Sequence, residues 1–108
     1  MNFMHLFKNK KRIMKANFKK LRGEVAFDEF KEVDIARQLG NYIHATTSDI
    51  GLDDVARVIY YSEGEVEIPD ELAQGIIDLV NRPQCNFLAW AKRAIINELT
   101  EKENVNNQ

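Results

Sequence analysis

The stretch IPDELAQGIIDLVNRP (residues 68–83), followed by QCNFLAWAKRAIINEL (residues 84–99), decides the fold of this chain. In the first half, apolar residues recur every three to four positions and fall on one side of a helix, with polar residues opposite. Pro69 suits the first helical turn, and Asp70 and Glu71 place negative charge at the positive end of the helix dipole. The first half therefore predicts a surface helix that faces a core.

The second half is apolar over a wider arc, which predicts a central helix with neighbours on more than one side. Burial of a large apolar side chain stabilises a fold by roughly 1.5–3 kcal/mol. Phe87 and Trp90 are therefore interpreted as core side chains, and a ligand pocket around them is the lesser alternative.

The chain has 108 residues, 44% hydrophobic and 30% charged, which is typical of one globular domain. The single cysteine, Cys85, excludes an internal disulfide framework and any multi-cysteine metal site. A basic run from Lys8 to Arg12 interrupts the apolar residues near the start, unlike a signal peptide, and no run is long enough to span a membrane. The expected location is the cytoplasm.

Charge is divided unevenly along the chain. The net charge is −2, but residues 1–22 hold eight of the 15 Lys and Arg and no acid. The remaining seven basic residues face all 17 Asp and Glu in residues 23–108, so the two parts carry +8 and −10. Such a division is a clue to binding partners.

Residues 3–22 are predicted to form a basic amphipathic helix that ends near Gly23. Its basic face comprises Lys8, Lys11, Arg12, Lys15 and Lys19. Three interpretations stay open: the helix docks on its own domain with its lysines solvated, it contacts nucleic-acid phosphates, or it lies on an anionic membrane surface.

A further helix is predicted from an N-cap at Asp28 to Ala45, although Gly40 could break it. Residues 46–49 resemble a turn and cap, and residues 52–61 favour a helix over the alternative of a hairpin. The predicted fold is all-α, a compact bundle of four to five helices, with one short β-hairpin near residues 57–68 as the alternative. Its parts are the N-terminal helix (1–22), a helical core (23–100) and a polar flexible tail (101–108).

An acidic turn is the second charge feature. It places five carboxylates within nine residues: Glu63, Glu65, Glu67, Asp70 and Glu71. It is interpreted as a solvated loop, as a site for a basic partner, or as the dock for the basic N-terminal helix, within the chain or between copies.

No pattern of catalytic residues is found. His5 and His44 lie on separate elements without a second ligand at helical spacing, and the five scattered glycines form no phosphate loop. The sequence predicts no metal, no cofactor and no enzyme. It favours a small regulatory or interaction protein that binds another protein through charged surfaces, or forms a homodimer. Sequence-tolerant nucleic-acid binding and peripheral association with an anionic membrane, both through the basic helix, are the alternatives.

Overall fold

The computed structural model describes residues 12–106, with side chains for residues 12–100. In that part of the chain the fold is α+β, with four helices and two antiparallel two-stranded sheets. The all-α prediction is therefore wrong. The elements in chain order are β1 (Ile13–Ala16), β2 (Leu21–Ala26), β3 (Glu29–Val33), α1 (Ala36–Thr46), α2 (Ile50–Tyr60), β4 (Val66–Pro69), α3 (Asp70–Val80) and α4 (Ala89–Asn106).

The predicted basic helix is wrong from residue 12 onward, where β1, a turn and β2 replace it; its first part, residues 3–11, lies outside the described residues. Met14, Phe18 and Leu21 have helical spacing, but residues 14, 16 and 18 also alternate as in a strand, so the pattern alone is ambiguous. The turn is formed by Asn17, whose Oδ1 accepts hydrogen bonds from the backbone N–H groups of Lys19 (3.0 Å) and Lys20 (3.1 Å).

Strand β1 pairs with β4, far along the chain. Met14 lies opposite Ile68, and Ala16 opposite Val66, and all four side chains are buried. The alternative of a hairpin at residues 57–68 is wrong, because β4 pairs with β1 and the residues before it form α2. The preferred prediction, a helix ending near Tyr61, is confirmed.

Strands β2 and β3 form a hairpin with a two-residue turn. Asp28, predicted to cap a helix, instead occupies this turn with φ of 64°, a left-handed conformation that Asp tolerates better than most residues. The helix predicted from Asp28 begins only at Ala36, whose N–H donates to Asp34 Oδ1 at 3.2 Å. Local capping by Asp34 thus starts α1 after the strand ends.

Helices α1 and α2 form an antiparallel pair joined by a short loop. His44, near the end of α1, contacts Asp53 near the start of α2, whereas Gly40 lies against Tyr60 at the end of α2. Gly40 does not break the helix, contrary to the possibility raised by the sequence. A Cβ at this position would lie 2.8 Å from Tyr60 Cβ and 2.9 Å from the Ala56 carbonyl oxygen, so glycine permits the close approach of the helices.

Helix α4 is central, as predicted, and contacts β1, β2 and α3. Trp90 is half-buried against β2, where its ring lies over Gly23. Phe87 precedes the helix and is half-buried against the ring of Tyr42, at 5.6 Å between centroids. The backbone of α4 continues to Asn106, so the helix does not end at the predicted tail boundary. The largest fully buried side chains belong to Phe18, Leu21, Leu39, Ile43, Ile59, Ile68, Ile76, Ile95, Leu99 and Val80.

Candidate functional site

The predicted basic face does not exist as a helix face in the described part of the chain. Lys8 and Lys11 lie outside the described residues. Arg12 precedes β1, Lys15 lies on the exposed side of β1, and Lys19 lies in the next turn with its Nζ 3.3 Å from Asp34 Oδ2. These three cations are therefore separated, and the Lys19–Asp34 pair is of the exposed kind that contributes little to stability.

The acidic turn runs along β4 into the first turn of α3, and β1 lies beside it. Lys15 is directly opposite Glu67 in the ladder, and the Arg12 carbonyl accepts a hydrogen bond from the Asp70 N–H at 2.9 Å. Cross-strand neighbours of opposite charge attract each other weakly at an exposed sheet surface. Part of the N-terminal basic segment thus meets the acidic turn within one chain, as a strand.

Two adjoining surface depressions with polar side chains lie over the α1–α2 pair. One depression of about 230 Å³ is lined by Gly40, Asn41, His44, Ala56, Arg57, Tyr60 and Tyr61. A second, of about 410 Å³, is lined by Lys19, Arg37, Tyr60, Tyr61, Ser62 and Glu63. Because Tyr60 and Tyr61 line both, we treat the two depressions together as the tyrosine groove.

The rings of Tyr60 and Tyr61 contact each other. Their ring centroids are 4.8 Å apart with an interplanar angle of 73°, an edge-to-face arrangement that aromatic rings prefer. The Arg37 guanidinium carbon lies 5.5 Å from the centroid of the Tyr60 ring, within the range of a cation–π interaction. Tyr61 remains 75% exposed and presents its ring to solvent.

A small charge network lies at the other end of the groove. Asp53 contacts His44 through Oδ1 and Arg57 through Oδ2, the latter at 3.5 Å. The hydrogen bond from His44 is the main cause that lowers the pKa of Asp53, and Arg57 adds to it. The pair of His44 and Asp53 links α1 to α2, and His44 lines the groove.

Within the described residues, no three His, Cys, Asp or Glu side chains lie close enough to hold one metal ion. Cys85 is buried in the loop before α4. The helices in the described range are all too short or too polar to cross a membrane.

Sequence reasoning missed the tyrosine groove. The sequence predicts a helix over residues 52–61 and considers Gly40 only as a helix breaker, and neither prediction indicates a groove. The available signal was a glycine within one amphipathic helix followed by a short loop and a second helix, which is compatible with a closely packed antiparallel pair.

Comparison with known protein families, with curated proteins and with solved structures gives no match.

Proposed function

We propose that the protein is a small, non-enzymatic interaction protein that binds an acidic, partly apolar segment of another protein in the tyrosine groove. The observation that carries this proposal is the exposed ring of Tyr61, which contacts the ring of Tyr60 in a groove that Arg37 and Arg57 also line.

The residue types in the groove support protein binding. Tyrosine and arginine are enriched among the residues that dominate binding energy at protein interfaces. A tyrosine ring has few rotatable bonds, so ordering it on binding costs little entropy.

The charges around the groove favour an acidic segment. Lys19, Arg37 and Arg57 line it, against the single acid Glu63. Arginine binds a carboxylate through two parallel hydrogen bonds. Asp53 and Asp34 already contact Arg57 and Lys19, but such exposed pairs are weak, so a ligand carboxylate can replace them at small cost.

Arginine and tyrosine also stack on nucleic-acid bases, so nucleic-acid binding is the competing outcome. The net charge of −2 and the acidic excess after residue 22 disfavour it more than they disfavour a short acidic segment, because a nucleic acid carries a negative charge at every phosphate and is repelled over more of the surface. We also place the protein in the cytoplasm, which a single free cysteine supports.

The test is selection of random peptides displayed on phage against the whole immobilised chain, followed by fluorescence anisotropy with the enriched peptides. We expect enriched peptides to combine Asp or Glu with an aromatic or large apolar residue. Tyr61→Ala and Arg37→Ala should each weaken binding about tenfold or more. Arg93→Ala, which removes an exposed arginine on α4, is the matched control and should leave affinity unchanged.

Two outcomes would count against the proposal. If enriched peptides bind Tyr61→Ala as tightly as the native chain, the site lies elsewhere. If a labelled random-sequence duplex or single strand binds instead, weakens steeply with salt and loses affinity in Arg37→Ala, the groove is a nucleic-acid site.

A further inference from the structure

The outer edge of β3 is the second unusual surface, on a different part of the molecule from the tyrosine groove. Residues 29–32 are all exposed, and β2 is the only strand that pairs with β3 between residues 12 and 106. The outward N–H and C=O groups of an edge strand are a template for pairing with another strand. The β2–β3 register contains one irregularity, near Val25 on β2, so the outer strand itself stays regular.

Two phenylalanines mark this edge. Phe27, in the hairpin turn, is 98% exposed, and Phe30, in the middle of β3, is 48% exposed. The Arg22 guanidinium carbon lies 4.2 Å from the centroid of the Phe30 ring, so one face of that ring is covered within the chain. The remaining aromatic surface on the hairpin is left to solvent.

The charges of β3 are only partly matched inside the hairpin. Glu32 lies opposite Arg22 on β2, an arrangement of opposite charges. Glu29 and Lys31, in contrast, lie opposite Ala26 and Gly23, so neither has a charged cross-strand neighbour. Two opposite charges thus flank Phe30 along an unpaired edge.

We propose that β3 pairs antiparallel with β3 of a second copy of the chain, about a two-fold axis at Phe30. In this register Phe30 lies opposite the partner's Phe30, and Glu29 opposite the partner's Lys31. The symmetry repeats the ion pair on the other side. The ladder ends at Glu29, because Asp28 lies in the hairpin turn with φ of 64° and is not extended, so Phe27 and Asp28 are not paired.

The charge sequence discriminates against other registers. A two-fold axis perpendicular to the sheet keeps each side chain on its own face, so only shifts by two positions fit the symmetry. A shift by two in one direction places Lys31 opposite the partner's Lys31, and in the other direction it places Glu29 opposite the partner's Glu29. Directly opposed like charges destabilise a sheet, so the Phe30-centred register is favoured.

The interface is small, since it joins two five-residue strands. Interfaces at the low end of the size range form transient complexes. We therefore expect a weak, concentration-dependent dimer, with a four-stranded sheet β2–β3–β3–β2 across the axis.

The test uses charge reversal in the full chain, followed by sedimentation velocity over a concentration series. Glu29→Lys and Lys31→Glu should each weaken dimerisation about tenfold or more, because both ion pairs become repulsive. The double variant Glu29→Lys/Lys31→Glu should restore it. An equimolar mixture of the two single variants should form a mixed dimer, because their charges are complementary in the proposed register.

Asp54→Lys, an equal charge change at an exposed site on α2, is the matched control and should dimerise like the native chain. Hydrogen exchange should show outward amides of residues 29–33 gaining protection at high concentration. A chain that stays monomeric throughout the series overturns the proposal. So does a dimer that is indifferent to both single reversals, or a mixture that does not recover association. Tyr61→Ala should leave dimerisation unchanged, which separates this inference from the proposed function.

Discussion

Replacement of Gly40 by alanine tests the packing on which the tyrosine groove depends. In an ordinary helix interior, Gly→Ala stabilises by about 1 kcal/mol. Here the added Cβ would lie 2.8 Å from Tyr60 Cβ, 3.1 Å from Tyr60 Cα and 2.9 Å from the Ala56 carbonyl oxygen. These are backbone or near-backbone atoms, so the methyl group can be accommodated only if α1 and α2 move apart.

Inserting a methyl group into a well-packed contact typically costs about 1–3 kcal/mol. Because the atoms nearest the added Cβ belong to the backbone or lie next to it, we expect a cost in the upper part of that range. The higher helix propensity of alanine is then subtracted from this cost. Gly40→Ala should therefore destabilise the protein by about 1–2 kcal/mol. For a domain of this size, each kcal/mol lowers Tm by roughly 4–8 °C.

Gly75 in α3 is the matched control. Its added Cβ would lie 2.9 Å from Leu52 Cδ1, the mobile end of a flexible side chain. Gly75→Ala should thus leave the free energy of unfolding unchanged or raise it by up to about 1 kcal/mol. Urea unfolding followed by fluorescence of Trp90, the only tryptophan, and by far-UV circular dichroism gives both free energies of unfolding. If Gly40→Ala is as stable as the native chain, the close approach of α1 and α2 is refuted.

Three further predictions concern side-chain hydrogen bonds. His44→Ala should raise the pKa of Asp53 toward its ordinary value, measured by carboxyl NMR titration. Because this pKa is lowered in the folded state, the interaction stabilises the protein above the ordinary Asp pKa, and the stabilisation is lost as pH falls through the folded value. The stabilities of the native chain and the variant should therefore converge in strong acid. Tyr42→Phe removes the 2.6 Å hydrogen bond from the Tyr42 hydroxyl to the Leu79 carbonyl and should cost about 0.5–1.5 kcal/mol in urea unfolding; no loss would mean that this bond contributes nothing net. Asn17→Ala removes two hydrogen bonds that form the β1–β2 turn and should lower the free energy of unfolding by about 1–2 kcal/mol. Asn17→Asp keeps the acceptor and should retain most of that stability. An equal loss of stability in both variants would contradict the role of these hydrogen bonds in the turn.

The sequence predicted α2 and α3 well, because apolar residues recur at the helical period in each. Asp49 accepts the Gly51 N–H at 2.9 Å, which confirms the predicted cap of α2. The first turn of α3 carries Asp70 and Glu71, as expected from the helix dipole.

The strands were missed because local patterns did not decide them. In β1 the buried positions fit both a helical and an alternating period, and the pairing with β4 that selects the strand joins distant parts of the sequence. Strand β3 has no buried side to produce an alternating pattern, since it is exposed along almost its whole length. Propensity is a weak signal where burial does not reinforce it.

The groove was beyond sequence reasoning for a related reason. His44 and Asp53 are nine positions apart on different helices, so neither helix alone brings them together. The same holds for Arg37 and Tyr60, which meet only because the two helices run antiparallel. The uneven charge of the sequence led to the prediction of an interaction protein, whereas the groove proposed as the binding site is visible only in the tertiary arrangement.

The pairing of β1 with β4 also bears on the order in which the protein forms during synthesis. The ribosome releases β1 first, but its partner strand follows only after the β2–β3 hairpin and the α1–α2 pair have been made. Closing that long loop costs more entropy than closing either short turn within it. We therefore expect the two local hairpins to form early and β1 to remain without its partner until β4 emerges. Pulse-labelled hydrogen exchange should then find the amides of residues 13–16 protected after those of α1 and α2, and the reverse order would contradict this sequence of events.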